Sequence, residues 1–454
     1  MIVLGVLACA AGGQRLSDEE VRDAQACVEC HPDHVREWSG SMHAYASEDP
    51  IFRALNALGQ EQTDGALGDF CVKCHAPVAV ALGMTTDGLN LDALPEAVKG
   101  IGCYTCHQIE AVEGDHNNPL RLAMDRVMRG GIRDPVKTRA HDSAYEPLLD
   151  REQVESSDAC GSCHDIVTPL GAHIERTYLE WRQSLFGRNP AIGLSCGSCH
   201  MQGREGVAAE ADGVLLRRVH DHRMPGVDIA TTPWVETEDQ RAAVQELLDD
   251  TVSAFLCVQP SEGDTTLAVV TLENVAGGHF FPSGATADRR AWVQVEAFAD
   301  GTRFWSSGAV DAQTPLSEVS AEEDPDLWRM YSTLLDVDGA PTHNFWDAAD
   351  IERGDLLPVQ TTLDPNDPTF VQTHQSHQVL IRGDTPDRIT MAVRLRPVPL
   401  DLAQDLVASG HLDAAVLAAL PEWTLQPTVL EWTGDVPVGP NGLSCVPEAP
   451  PPPG

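Results

Sequence analysis

Lysine is almost missing from this chain. Lys73, Lys99 and Lys137 are the only three in 454 residues, and arginine supplies the other cations. Against 30 Lys and Arg stand 69 Asp and Glu, giving a net charge of −39 and a pI near 4.5. Such a surface has nothing to neutralise phosphates with, which excludes nucleic-acid binding. It also excludes electrostatic docking on an anionic bilayer. A basic protein partner or a saline habitat suits the charge, and so does plain solubility by self-repulsion. Aromatics are scarce at 5%, while hydrophobic residues reach 42%, enough for the two or three domains that the length suggests. Beyond the N-terminus no stretch approaches the roughly 18 apolar residues of a membrane-spanning helix.

The first residues differ. Met1-Ile2-Val3-Leu4-Gly5-Val6-Leu7-Ala8-Cys9 is apolar and runs into small residues, like the tail of a secretory signal that lacks its positive start. Val6-Leu7-Ala8-Cys9 also has the pattern of a lipoprotein cleavage box, and ordinary cleavage nearby competes with it. Residues 1–16 are therefore expected to be a leader, and a lipid on Cys9 is the one membrane attachment expected.

Thirteen cysteines are present, and ten form five copies of one pattern. They are Cys27/Cys30/His31, Cys71/Cys74/His75, Cys103/Cys106/His107, Cys160/Cys163/His164 and Cys196/Cys199/His200, each spelling Cys-x-x-Cys-His. This is the attachment signature of a c-type haem. Two thiols bond the vinyl groups of one porphyrin, and the next imidazole reaches the iron from the proximal side. Composition alone predicts about 0.01 such patterns in the chain. Zinc is the rival reading, but zinc half-sites pair at regular intervals and need no His after every second Cys. The intervals here are 44, 32, 57 and 36 residues. A thioredoxin-like motif would occur once, not five times. Five haems c are expected. Of the other cysteines, Cys257 and Cys445 are read either as a disulfide in an oxidising compartment or as two buried thiols.

The fold expected is α+β. Residues 17–235 hold all the motifs and read as short helices joined by loops, with a helix-start signature at Ser17-Asp18-Glu19-Glu20. Thr177 to Phe186 places Tyr178, Trp181 and Leu185 on one helical face. Apolar residues are so sparse here that the domain is expected to fold around its porphyrins. Residues 245–400 change character: Thr265 to Leu272, Trp292 to Phe298 and Ile389 to Leu395 alternate like strands. Turns at Glu262-Gly263-Asp264, Asp300-Gly301, Asp338-Gly339 and Gly383-Asp384 separate them, which predicts an antiparallel β-sandwich. Residues 401–446 are expected to give an amphipathic helix to about 420, with Leu402, Leu406, Leu412, Val416 and Leu420 on one face, then a strand at Thr428 to Trp432. The tail, 447–454, is Pro-rich.

Five His serve as proximal ligands, so function turns on the opposite axial positions. A second His closes the iron for electron transfer, and an open position admits a substrate. His43, His116, His141, His220, His222 and His279 are the candidate distal ligands. His279 earns its place from the turn Gly277-Gly278-His279-Phe280-Phe281-Pro282, with an incidental His as the competing reading. His34 and His173 are expected to be solvated loop residues, and Met42, Met201 and Met224 to be packing.

Trp38-Ser39-Gly40-Ser41-Met42-His43, Gly102 to His107, and Arg176 to Ser184 followed by Cys196 to Met201 resemble the cytochrome c-554 type of multihaem cytochromes, related to the hydroxylamine oxidoreductase group. That resemblance implies bis-histidine haems in close pairs, a periplasmic or cell-surface location and electron transfer with redox partner proteins. The namesake family has four motifs, so its ligand pairing does not carry over. The expectation is an electron carrier, with no catalytic residues. The alternative is an oxidoreductase acting on hydroxylamine, nitrite or tetrathionate at one open haem. Pentahaem nitrite reductases are similar in haem count, but they use a Cys-x-x-Cys-Lys motif that this chain lacks.

Overall fold

The computed structural model describes residues 14–260 and 264–434. The Cys9 lipid site, the turn at Glu262-Gly263, Cys445 and the tail lie outside them. The chain divides into two compact units. The first takes residues up to 244 together with 334–351 and 403–419; the second takes 245–333, 352–402 and 420 onward. The overall class is α+β, with short helices and several small, mostly antiparallel sheets. None of the described helices is long and apolar enough to cross a membrane.

In the first unit each motif lies on one short helical turn. Backbone N–H groups of His31, His75 and His164 bond to the carbonyl of the first Cys of their motif, and Cys103–His107 and Cys196–His200 are helices throughout. One turn sets residues i, i+3 and i+4 on one face, so both sulfurs and the imidazole point the same way. The longest helix beside them is Pro50–Gln62, with Asp49 capping Ile51 N–H. Phe52, Val72, Val78, Ala79, Leu91 and Tyr104 form a small buried core around the second and third motifs.

Between the motifs and after the last of them the structure adds four two-stranded ribbons where loops were expected. They pair Ile109–Val112 with Leu120–Leu122, Val127–Gly130 with Asp142–Tyr145 (parallel), Ile166–Val167 with His173–Glu175, and Gly203–Val207 with Leu216–His220. Strands of two to five residues carry too little alternation to be seen in sequence. Ser17 and Glu20 do form the reciprocal capping pair, but only turns follow, and the first helical turn is Ala24–Cys27. The helix expected from 177 to 186 breaks at Ser184 into Thr177–Gln183 and Leu185–Arg188.

The second unit holds the expected strands. Thr265–Asn274 lies between Val252–Pro260 and His374–Arg382. Arg290–Ala299 pairs with Thr302–Ser307 and with Arg388–Arg396, which pairs in turn with Trp423–Trp432. Asp300 (φ +50°) and Gly301 (φ +75°) close the first of these hairpins. Two positive φ values in a two-residue loop match the twist of the flanking strands. In Arg388–Arg396, Ile389, Met391, Val393 and Leu395 are buried in strict alternation.

The C-terminal helix is two helices, Leu400–Ala408 and Ala414–Ala419. Gly410 turns left-handed (φ +80°), and the N–H groups of His411 and Leu412 both bond back to Leu406 O, which caps and ends the first helix. Leu402, Leu406, Leu412 and Val416 are buried, as their spacing predicts, whereas Leu420 lies past the second helix and is half-buried. Residues 334–351 and 403–419 pack within the first unit. There Trp346 donates its Nε1–H to Gln62 Oε1 at 3.0 Å, and His411 Nε2 lies 3.1 Å from Glu61.

Candidate haem sites

All five motif imidazoles are anchored through Nδ1. His31 bonds to Ala208 O at 2.6 Å, His75 to Ala46 O at 3.0 Å, His200 to Pro225 O at 2.7 Å, and His107 to Arg129 O. His164 is held by a carboxylate instead, Glu175 Oε1 at 3.3 Å. An Nδ1–H committed in this way fixes tautomer and ring orientation and leaves Nε2 as the nitrogen for a metal. The ribbons explain their own presence: Arg129 and Glu175 lie on them, and Ala208 directly follows one. His164 has a side chain 53% exposed, and Glu175 raises its pKa.

Two imidazoles bound through Nε2 on opposite sides of one metal ion, at about 2 Å each, hold their ring centroids roughly 6–6.5 Å apart. His43 lies 6.3 Å from His164, with the rings at 62°. His141 lies 6.3 Å from His31, and both line a cavity of about 130 Å³ bordered by Ile132, Val136, Ala140, Val214 and Leu215. His34 is 6.2 Å from His31 but takes no part in that cavity, so the cavity selects His141.

The position of His43 is over-determined. Ser41 caps its short helix at Ala44 N–H, Trp38 Nε1–H bonds to Ile101 O at 2.8 Å, and Ile101 N–H bonds to His43 O at 2.9 Å. Gly100 (φ +60°) passes so close that a Cβ would lie 2.8 Å from His43 O. Met224 Sδ sits 3.0 Å from His43 Nδ1, behind the ring. Burial, then His164, His200 and His75, push the His43 pKa down to about 4, so the ring is neutral and its Nε2 lone pair is free at neutral pH.

The other candidates are placed less directly. His116 is 42% exposed and pairs with Asp115. Its loop is tied to the second and fourth motifs, with Asn117 N–H on Asp165 O and Asn118 on Ser162 O and Lys73 O. His220 ends a ribbon strand, and burial lowers its pKa to about 4. His222 stacks on His34 at 4.6 Å, and its pKa falls to about 3 through burial and then His34. His34 is therefore no solvated loop residue: it lies on helix Pro32–Ser39, and with buried Glu37 and His222 it forms a three-residue cluster. His279 lies in the second unit, its Nδ1 3.0 Å from Phe280 O. His173 interacts with Arg176 at the surface.

The motifs also adjoin one another. Cys27 and Cys103, Cys74 and Cys163, and Cys160 and Cys196 lie near enough to shift one another's ionisation. Cys106 is near enough to feel Cys160 and Cys163. The fourth motif thus neighbours the second, third and fifth. Nine of the ten motif thiols are free. Cys30 is disulfide-bonded, and a thioether there requires its release. Cys257 is also disulfide-bonded, while its expected partner Cys445 lies outside the described residues.

Residues 26–108 match the family described as cytochrome c554 and c-prime. A penta-heme cytochrome c552 from Thermochromatium tepidum has a similar structure, with a TM-score of 0.60 at 20% identity. The match covers 91% of this chain and 99% of that one. The match at residues 26–108 and the similar fold, beside the five motifs, support reading the chain as a multihaem c-type cytochrome. No curated protein matches the chain. The residues fit the group that the family implies: at four motifs a pair of free thiols shares one face with the imidazole, and two further imidazoles stand about 6.3 Å from a motif imidazole.

Proposed function

We propose that this cytochrome transfers electrons through five haems c outside the cytoplasm, between redox partner proteins of which at least one is basic. The observation that carries this reading is the 6.3 Å spacing of His43 from His164 and of His141 from His31, which suits closed, six-coordinate irons. Bound haem supplies the one-electron couple. The chain holds each ring on one helical turn, orients the proximal imidazole through Nδ1, and at His43 keeps the opposite imidazole neutral by burial. Proximity of motif cysteines supports short steps from one centre to the next. His116, His220 and His222 remain proposed distal ligands for the other motifs. We read the two sheets of the second unit as halves of a β-sandwich, and the leader as a sign of export, with a lipid anchor on Cys9. The charge of −39 favours a cationic partner and faster encounter at low salt.

The test is electron paramagnetic resonance of the ferric protein with and without nitrite, hydroxylamine and cyanide. Low-spin signals that ignore all three support the carrier. A high-spin fraction that these ligands change would overturn it in favour of an oxidoreductase.

A further inference from the structure

Four proximal imidazoles rest on backbone carbonyls, which are neutral dipoles. The fifth, His164, rests on a full negative charge at 3.3 Å. Glu175 is only 13% exposed, and its ribbon fixes it in register opposite Ile166, two residues after His164. The adjacent Arg176 pairs with Asp165 at 3.3 Å and interacts with His173, so that guanidinium is engaged elsewhere. We propose that Glu175 tunes the haem of the fourth motif: its carboxylate accepts the Nδ1 proton of His164, gives that ligand imidazolate character, and sets this haem at the lowest potential of the five.

The physical reason is differential stabilisation. A more basic ligand and a nearby anion both favour the ferric over the ferrous iron, and hydrogen bonding around a ligand is a principal lever on haem potential. The location gives the effect a consequence. The fourth motif adjoins the second, third and fifth through Cys74, Cys106 and Cys196, so it is the junction of the set. A junction of low potential passes electrons without storing them, and they rest on the flanking haems. Glu175 acts through His164 and is a positioning residue.

This inference rests on the haem reading above, and one experiment separates the two. Potentiometric titration of the intact holoprotein, followed by visible and paramagnetic resonance spectra, is compared with Glu175→Gln and Glu175→Asp. The lowest midpoint potential should rise in Glu175→Gln, return toward its original value in Glu175→Asp, and leave the other four in place. Full haem loading with an unmoved lowest potential in Glu175→Gln overturns the inference alone. Absence of covalent haem in the wild type overturns the haem reading itself. Should Glu175→Gln load fewer haems, the wild type still decides. One ferric low-spin signal should show a compressed g-spread, as a stronger ligand field gives, and five signals of ordinary spread overturn the inference.

Discussion

Replacing His43 by alanine removes one imidazole from a ring pair 6.3 Å apart and leaves His164 as the sole protein ligand of its iron. On the proposal of five haems per chain, roughly one fifth of the ferric iron should become high-spin. Met224 does not fill the gap, because its sulfur sits 3.0 Å from His43 Nδ1, behind the ring and away from the metal. Added imidazole should enter the space left by the side chain and restore the low-spin state. His43→Met should stay low-spin but with a raised potential, as Met/His ligation does. The assay is spin integration of the ferric signals, normalised to covalent haem. A fully loaded His43→Ala protein with no added high-spin iron would refute the geometric reasoning, since some other group would then close that haem.

Four further outcomes are expected. His141→Ala should convert another fifth or so of the iron, and the double variant with His43→Ala should show the sum, because the two pairs share no ring. Gly161→Ala, inside the fourth motif, would place a Cβ 2.2 Å from Tyr178 Cδ2; overpacking of this kind costs about 1–3 kcal/mol, read as a lower thermal midpoint. Arg396 is buried and holds Glu422 at 2.8 Å and the carbonyls of Thr314 and Asp311. Its replacement by alanine should cost about 3 kcal/mol in denaturant unfolding, with haem spectra unchanged. Haem attachment to the apoprotein in vitro should reach the first motif only with a reductant present, because Cys30 is disulfide-bonded; equal loading without reductant would contradict this.

The motifs were legible because covalent chemistry dictates their spacing, and the long strands because the buried Ile389, Met391, Val393 and Leu395 alternate with half-buried neighbours. What positions the motifs was not legible. The acceptors for four proximal imidazoles are backbone carbonyls of Ala46, Ala208, Arg129 and Pro225, and no residue type announces a carbonyl. Glu175 is one acidic residue among 69, singled out only when a three-residue strand brings it back to His164. His34 read as a loop residue because its partner, His222, is remote in sequence. The helix predicted from 401 to 420 had the correct buried face, yet Gly410 splits it. Nor did any pattern show that Trp346 and His411 would reach Gln62 and Glu61 and draw two later segments into the first unit.

The central claim is that five Cys-x-x-Cys-His turns each carry a covalent haem. Intact-mass measurement of the purified protein after denaturation, paired with haem absorbance per chain, tests it most directly. The account predicts a mass increment of five haems that survives unfolding. A chain that unfolds without bound haem, or that releases zinc instead, would contradict it.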